Sequence, residues 1–127
     1  MSIGTRPVPQ VRRGDVYEID FGQPRGSEQG GSRPALVVST DDLNAVSSTV
    51  VVAAITKTLP SATRERPQQV AVSSRETGLA YDGMVKLDQV LTVSRERLTS
   101  RRCGRLSPEL MEKIDRAIFY SMGLDDE

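Results

Sequence analysis

The chain has 127 residues, 17 Lys and Arg against 17 Asp and Glu, one cysteine and no histidine. That length fits a single domain that buries roughly two thirds of the surface its unfolded form exposes, so no metal or disulfide staple is required. Without histidine, and with Cys103 alone, a transition-metal enzyme or a thiolate cluster is excluded as a working class, and balanced charge argues against coating nucleic acid by bulk attraction.

Residues 1–11, with Pro7 and Pro9, read as a flexible N-terminal arm before a single domain over 12–123 and a frayed tail at 124–127. No run of about 20 apolar residues and no charged-then-apolar leader occurs, so the expected location is cytoplasmic, with no membrane contact. Asp15 to Phe21 alternates, with Tyr17, Ile19 and Phe21 on one side and Val16, Glu18 and Asp20 on the other, the period of a half-buried strand. A polar loop from Gly22 to Arg33 carries four glycines and Pro24. Ala35 to Ser39 is a continuous apolar run, expected as a strand buried on both sides.

Asp41 to Asn44 reads as a turn or one helical turn capped by Thr40 or Asp41. Thr49 to Thr56 is the most strongly β-branched run and predicts the central strand. Lys57 to Pro67 reads as a loop, and strands are predicted over 69–73, 84–87 and 90–93, with a turn at Tyr81-Asp82-Gly83. Arg95 to Arg105 holds five arginines and one glutamate. A helix follows, with Ser107 as N-cap, Pro108 in the first turn, Leu110, Ile114, Ala117, Ile118 and Ser121 on one stripe, and Gly123 as the stop. About six short strands and one terminal helix predict a mainly β fold, a small, strongly bent sheet or barrel.

Residues 57–105 carry ten basic and five acidic groups, and 106–127 two basic and six acidic, so a basic surface can coexist with a neutral total. The spacing of Gly26 and Gly31 is near that of a phosphate-binding P-loop, but Ser32 and Arg33 stand where Lys and Ser or Thr are needed and a strand follows instead of a helix. A nucleoside triphosphatase is therefore rejected.

The loop still presents Ser27, Glu28, Gln29 and Arg33, none of them explained by core packing. Arg33 precedes Pro34, which biases it to an extended conformation at the start of a buried strand. Its guanidinium is a permanently charged planar fork suited to phosphate oxygens. Glu28 and Arg33 can flank a scissile phosphodiester, and the Thr56 hydroxyl at the end of the central strand can reach the same place. The plainer reading is a surface ion pair worth about 0–1 kcal/mol and a β-branched strand residue.

These residues carry a resemblance. Arg13-Gly14-Asp15-Val16, Asp20-Phe21, Arg25 to Ser39, Val52 to Thr56, Leu87-Asp-Gln-Val90 and the terminal helix together resemble the MazF/PemK family of toxin endoribonucleases over residues 12–122. The resemblance implies an SH3-like, PemK-type β-barrel, a homodimer, and metal-independent, cofactor-free cleavage of single-stranded mRNA at short sequences. It also implies neutralisation by a cognate MazE-like antitoxin with an acidic segment. It makes Arg33 and Thr56 the essential catalytic positions and implicates Glu28. Some relatives use a site histidine, which has no counterpart in this chain.

Metal-free cleavage most simply uses the ribose 2′-OH as nucleophile and leaves 2′,3′-cyclic phosphate and 5′-OH ends. Ser27, Gln29, Lys57, Asp88 and Gln89 are the candidate RNA contacts, since single-stranded bases expose their edges. Asp88 and Gln89 serve equally well as structural groups in a strand turn. Two other classes stay open: a noncatalytic nucleic-acid or protein-binding β-barrel, and a gyrase-inhibiting toxin of the same fold.

Overall fold

The β-branched run at Thr49–Lys57 pairs along its length with residues 83–94 on one side and with Ala35, Leu36 and Val37 on the other. A computed structural model describes residues 10–22, 31–58, 65–99 and 101–124. Six strands make one sheet, β1 (Asp15–Asp20), β2 (Ser32–Val37), β3 (Thr49–Lys57), β4 (Gln69–Val72), β5 (Gly83–Ser94) and β6 (Gly104–Arg105), in the order β4-β5-β3-β2-β1-β6. Every neighbouring pair is antiparallel. β3 lies inside the sheet, as its composition predicts.

The helices are α1 (Asp41–Asn44), α2 (Ser74–Thr77) and α3 (Pro108–Ser121). α3 starts where the sequence places it. The Ser107 hydroxyl accepts the Leu110 N–H and proline occupies the first turn. Leu110, Ile114 and Ala117 are buried against Leu36, Ile55, Val70, Val85 and Leu87, forming one core. Burying Leu110 and Ile114 stabilises the fold by roughly 1.5–3 kcal/mol each.

The opposite face of the sheet carries a second core, built from Val11, Tyr17, Ile19, Ala35, Val37, Val50, Val52 and Val93, with Phe21 and Leu98 packed against it. β1 consequently differs from the half-buried strand of the sequence reading. Val16 enters the α3 core while Tyr17 and Ile19 enter the second one. Burial, and then the neighbouring Asp15 carboxylate, raise the Tyr17 phenol above its ordinary value. The segments predicted as strands at 84–87 and 90–93 are one strand, β5, with an irregularity between them: Ala54 pairs with Lys86 but Ala53 with Val90. Leu87, Asp88 and Gln89 are thus the extra residues of a β-bulge, which turns the strand sharply.

Charged groups pin the ends of these elements. Asp15 is fully buried and accepts bonds from Arg105 Nε at 2.8 Å and from the Arg12 N–H at 3.0 Å, with Arg102 at 3.8 Å. Arg13 donates from Nε to the Val38 carbonyl and pairs with Asp115 of α3 at 2.7 Å. Arg95 and Arg97 donate to the carbonyls of Ser47 and Asp20. Much of the arginine-rich stretch therefore holds backbone together.

The Asp41 carboxylate accepts the Arg13 N–H at 2.7 Å, and this bond is the main reason its acid is stronger than the ordinary value of 3.8. A depressed folded value means the unfolded chain takes up the proton first, so this contribution to stability is complete above about pH 4 and disappears as pH falls through the folded value. Urea midpoints measured from pH 6 to pH 2 are expected to fall less steeply below pH 4 for Asp41→Asn than for the unchanged protein.

Candidate active site

The loop after β1 leaves the sheet through a closed neck. Phe21 N–H donates to the Gly31 carbonyl at 2.9 Å, and Gly31 N–H to the Gly22 carbonyl at 2.7 Å. Gly22 and Gly31 both have positive φ, 79° and 72°, which side-chain-bearing residues rarely adopt. Asp20 Oδ1 accepts the Gly22 N–H and fixes one side of the neck. Arg33 lies two residues beyond Gly31 in β2, exposed and paired with Ile19 of β1.

The β2–β3 ladder runs Ala35 with Ala54, Leu36 with Ala53 and Val37 with Val52. Continued two residues in the same register, it sets Arg33 across from Thr56. Directly opposed residues of antiparallel strands share a face, so the guanidinium and the hydroxyl are mounted on the same side of the sheet. That side is the face of the second core, beyond its edge: Thr56 is half-buried and Ala35 and Ala54 form a floor of small buried side chains.

The next strand extends this face. Thr56 pairs with Met84 and Ala54 with Lys86 in β5, and these pair in turn with Ala71 and Gln69 of β4. Gly83 permits this close pairing: a side chain there would come within 2.9 Å of both Ile55 Cγ2 and the Thr56 carbonyl oxygen. The spacing of β3 and β5 at the end that carries Thr56 therefore depends on the absence of a Cβ at 83.

The sequence-predicted residues distribute unevenly over this frame. Arg33 and Thr56 fall on one face of the sheet when the β2–β3 register is continued two residues past Ala35 and Ala54. Asp88 and Gln89 lie exposed in the β5 bulge, beside the Ala53–Ala54 step of β3. Lys57 alternates to the opposite face from Thr56, where its ammonium sits 5.7 Å from the centre of the Tyr81 ring. Ser27, Glu28 and Gln29 lie outside the described residues. Lys86, half-buried on the Thr56 face, is a residue the sequence reading passed over. Its signal was a lysine two residues from Met84 in a segment, 84–87, otherwise composed of apolar residues.

Among the described residues no group of three or more His, Cys, Asp and Glu comes together as a metal site, and no helix is long and apolar enough to cross a membrane. What the face offers chemically is positive charge and a hydroxyl above a floor of small side chains, groups able to donate to anionic oxygens.

Comparison with known proteins places this arrangement. Residues 12–122 match the family model described as PemK-like, MazF-like toxin of type II toxin-antitoxin system. The chain is 40% identical over 116 residues to the Endoribonuclease EndoA of Bacillus subtilis (strain 168), covering 91% of this chain and 97% of that protein. A mycobacterial endoribonuclease solved in complex with its cognate antitoxin superposes with a TM-score of 0.74 at 29% identity, over 92% of this chain and 99% of that one. The MazF of Deinococcus radiodurans shares the fold with a TM-score of 0.70 at 21% identity, over 93% of this chain and 99% of the other. The chain therefore belongs to the PemK-like, MazF-like toxins of type II toxin-antitoxin systems.

Proposed function

We propose that this chain, an endoribonuclease of the MazF/PemK toxins, cuts single-stranded mRNA at short sequences without a metal, through attack by the ribose 2′-OH. The observation that supports the reading is the β2–β3 register, which, continued two residues beyond Ala35 and Ala54, sets Arg33 and Thr56 on one face. In this route Glu28 takes the 2′-OH proton, the 2′ oxygen attacks phosphorus and the bond to the 5′ oxygen breaks. The products are a 2′,3′-cyclic phosphate and, after proton uptake from water, a free 5′-OH.

As the 2′ oxygen approaches, charge grows on the non-bridging phosphate oxygens. Arg33 and the Thr56 hydroxyl stabilise that charge, which is the role preorganised donors fill best. Arg33 acts electrostatically, because a guanidinium with a pKa above about 12 is a poor proton donor at neutral pH. Ser27, Gln29, Asp88 and Gln89 are assigned to contacts with the RNA around the cut, whereas Lys57, on the opposite face beside Tyr81, drops out of that set.

A cognate antitoxin of the MazE kind is the proposed protein partner; the antitoxin complex of the mycobacterial relative supports it. A homodimer acting in the cytoplasm completes the reading.

The deciding experiment incubates the purified protein with a long single-stranded transcript, with and without EDTA, and maps the ends. Discrete cuts unaffected by EDTA, ending in 5′-OH and cyclic phosphate, are the expected result. A 5′-phosphate with metal dependence overturns the 2′-OH route. RNA retained uncut supports a binding module instead, and trapped gyrase on DNA the gyrase-directed class. In the same assay Glu28→Gln is expected to flatten the acidic limb of the pH–rate profile, and an unchanged profile removes Glu28 as the base.

A further inference from the structure

The face that carries Arg33 and Thr56 does not end at Thr56. In the pleat, Lys86 occupies the same side: it pairs with Ala54, two residues from Thr56, and with Gln69 at the outer strand. On this face Ala54 and the buried Met84 lie between Thr56 and Lys86, with Ala35 and Ala71 beside them. Lys86 is therefore about 7 Å along the strand direction and about 5 Å across it from Thr56, on the side away from Arg33.

Lys86 is half-buried, yet no ion pair between described residues involves it. Asp88, the nearest acid in sequence, projects from the exposed bulge, and Glu65 is engaged with the Ala71 N–H. A lysine whose stem is partly covered by its neighbours, and which has no carboxylate partner, leaves its ammonium available to an anion from outside the chain. The neighbouring Leu87 and Val85 are committed to the α3 core, which fixes the strand and so the base of the lysine stem.

We infer that Lys86 is a second phosphate subsite, binding the non-bridging oxygens of the phosphodiester adjacent to the one cut between Arg33 and Thr56. The offset between Thr56 and Lys86 is of the order of the spacing between successive phosphates of an extended strand. The RNA backbone then crosses the sheet from β2 over β3 to β5, and its bases are directed toward the bulge at Asp88 and Gln89. A lysine suits this task because a point charge on a flexible stem accepts a phosphate without demanding one orientation. Since it grips the ground state and the transition state alike, its removal acts on KM more than on kcat. This inference rests on the endoribonuclease reading of the same face.

The test compares the unchanged protein, Lys86→Ala and Lys86→Arg on a single-stranded RNA oligonucleotide that spans one mapped cut site. Cleavage and equilibrium binding are both followed at several salt concentrations. Lys86→Ala is expected to raise KM and Kd about tenfold, to leave kcat within about twofold, and to reduce the slope of log affinity against log salt by about 0.7, one phosphate contact on a single strand. Lys86→Arg restores most of the affinity. An oligonucleotide with a neutral methylphosphonate next to the scissile phosphate weakens the unchanged protein by a similar factor and adds nothing to Lys86→Ala. Wild-type affinity and salt slope in Lys86→Ala, or fully additive losses with the methylphosphonate, overturn the assignment while leaving the cleavage reading intact. Absence of cutting by the unchanged protein overturns the cleavage reading, and the binding arm still decides Lys86.

Discussion

Arg33→Ala is expected to lower kcat on single-stranded RNA by at least about a hundredfold while leaving the urea midpoint and the circular dichroism spectrum unchanged. The side chain is exposed in β2 and contributes nothing to either core. Its loss therefore costs the fold little. The loss to catalysis is large because the guanidinium acts where charge develops; removing one donor of that kind from other enzymes costs about 10² to 10³ in rate. Arg33→Lys separates charge from geometry: a lysine keeps the charge but not the planar fork, so partial activity is expected from it and none of the bidentate precision. An Arg33→Ala protein that cuts at the unchanged rate removes this residue, and with it the proposed site, from the reaction.

Gly78→Ala is expected to destabilise the protein by about 2–4 kcal/mol, a loss of stability with no direct chemical component. Gly78 closes α2 in the left-handed region at φ 77°, which a residue with a Cβ enters only at a cost. A methyl group would also run into the Cys103 carbonyl oxygen, and a Cβ at Gly104 would in turn meet the Thr77 carbonyl. Two glycines thus let the end of α2 and the approach to β6 cross backbone to backbone. Urea unfolding reads the effect directly. A midpoint within error of the unchanged protein would mean that the 101–105 segment moves aside freely, which its hydrogen bonds from Cys103 N–H to Val16 and from Leu106 N–H to Gly14 oppose.

Where one physical signal dominates, the amino-acid order is readable. The β-branched run becomes β3, the Ser107–Pro108 start and Gly123 stop bound α3, and Arg33 before Pro34 sits in extended backbone at the mouth of the loop. Other features depend on what packs from elsewhere. Tyr17 and Ile19 alternate with Val16, Glu18 and Asp20, but alternation alone does not say that α3 covers the Val16 side. The bulge at Leu87–Gln89 shows in the sequence as a break between two strands, because Asp88 and Gln89 interrupt the apolar pattern, but only the pairing shows that one strand continues through it. α2 did have a local signature, the reciprocal Ser73 and Glu76 capping box before Gly78. Its four residues are too short for any hydrophobic period to accompany it. For the candidate site, the types of Arg33 and Thr56 were legible, whereas the shared face of Lys86 depends on a register that only pairing defines.

The tie between Asp15 and Arg105 joins residues 90 positions apart in sequence, and β1 pairs with β6 through the same short stretch. Closing that contact spans most of the chain, so it costs more loop-closure entropy than the hairpins of the sheet. During synthesis the buried carboxylate has no guanidinium to meet until residues 102–105 have been made. A nascent or truncated chain that already contains Arg33, Thr56 and Lys86 is left with an unpaired β1 edge and an unneutralised charge at its base.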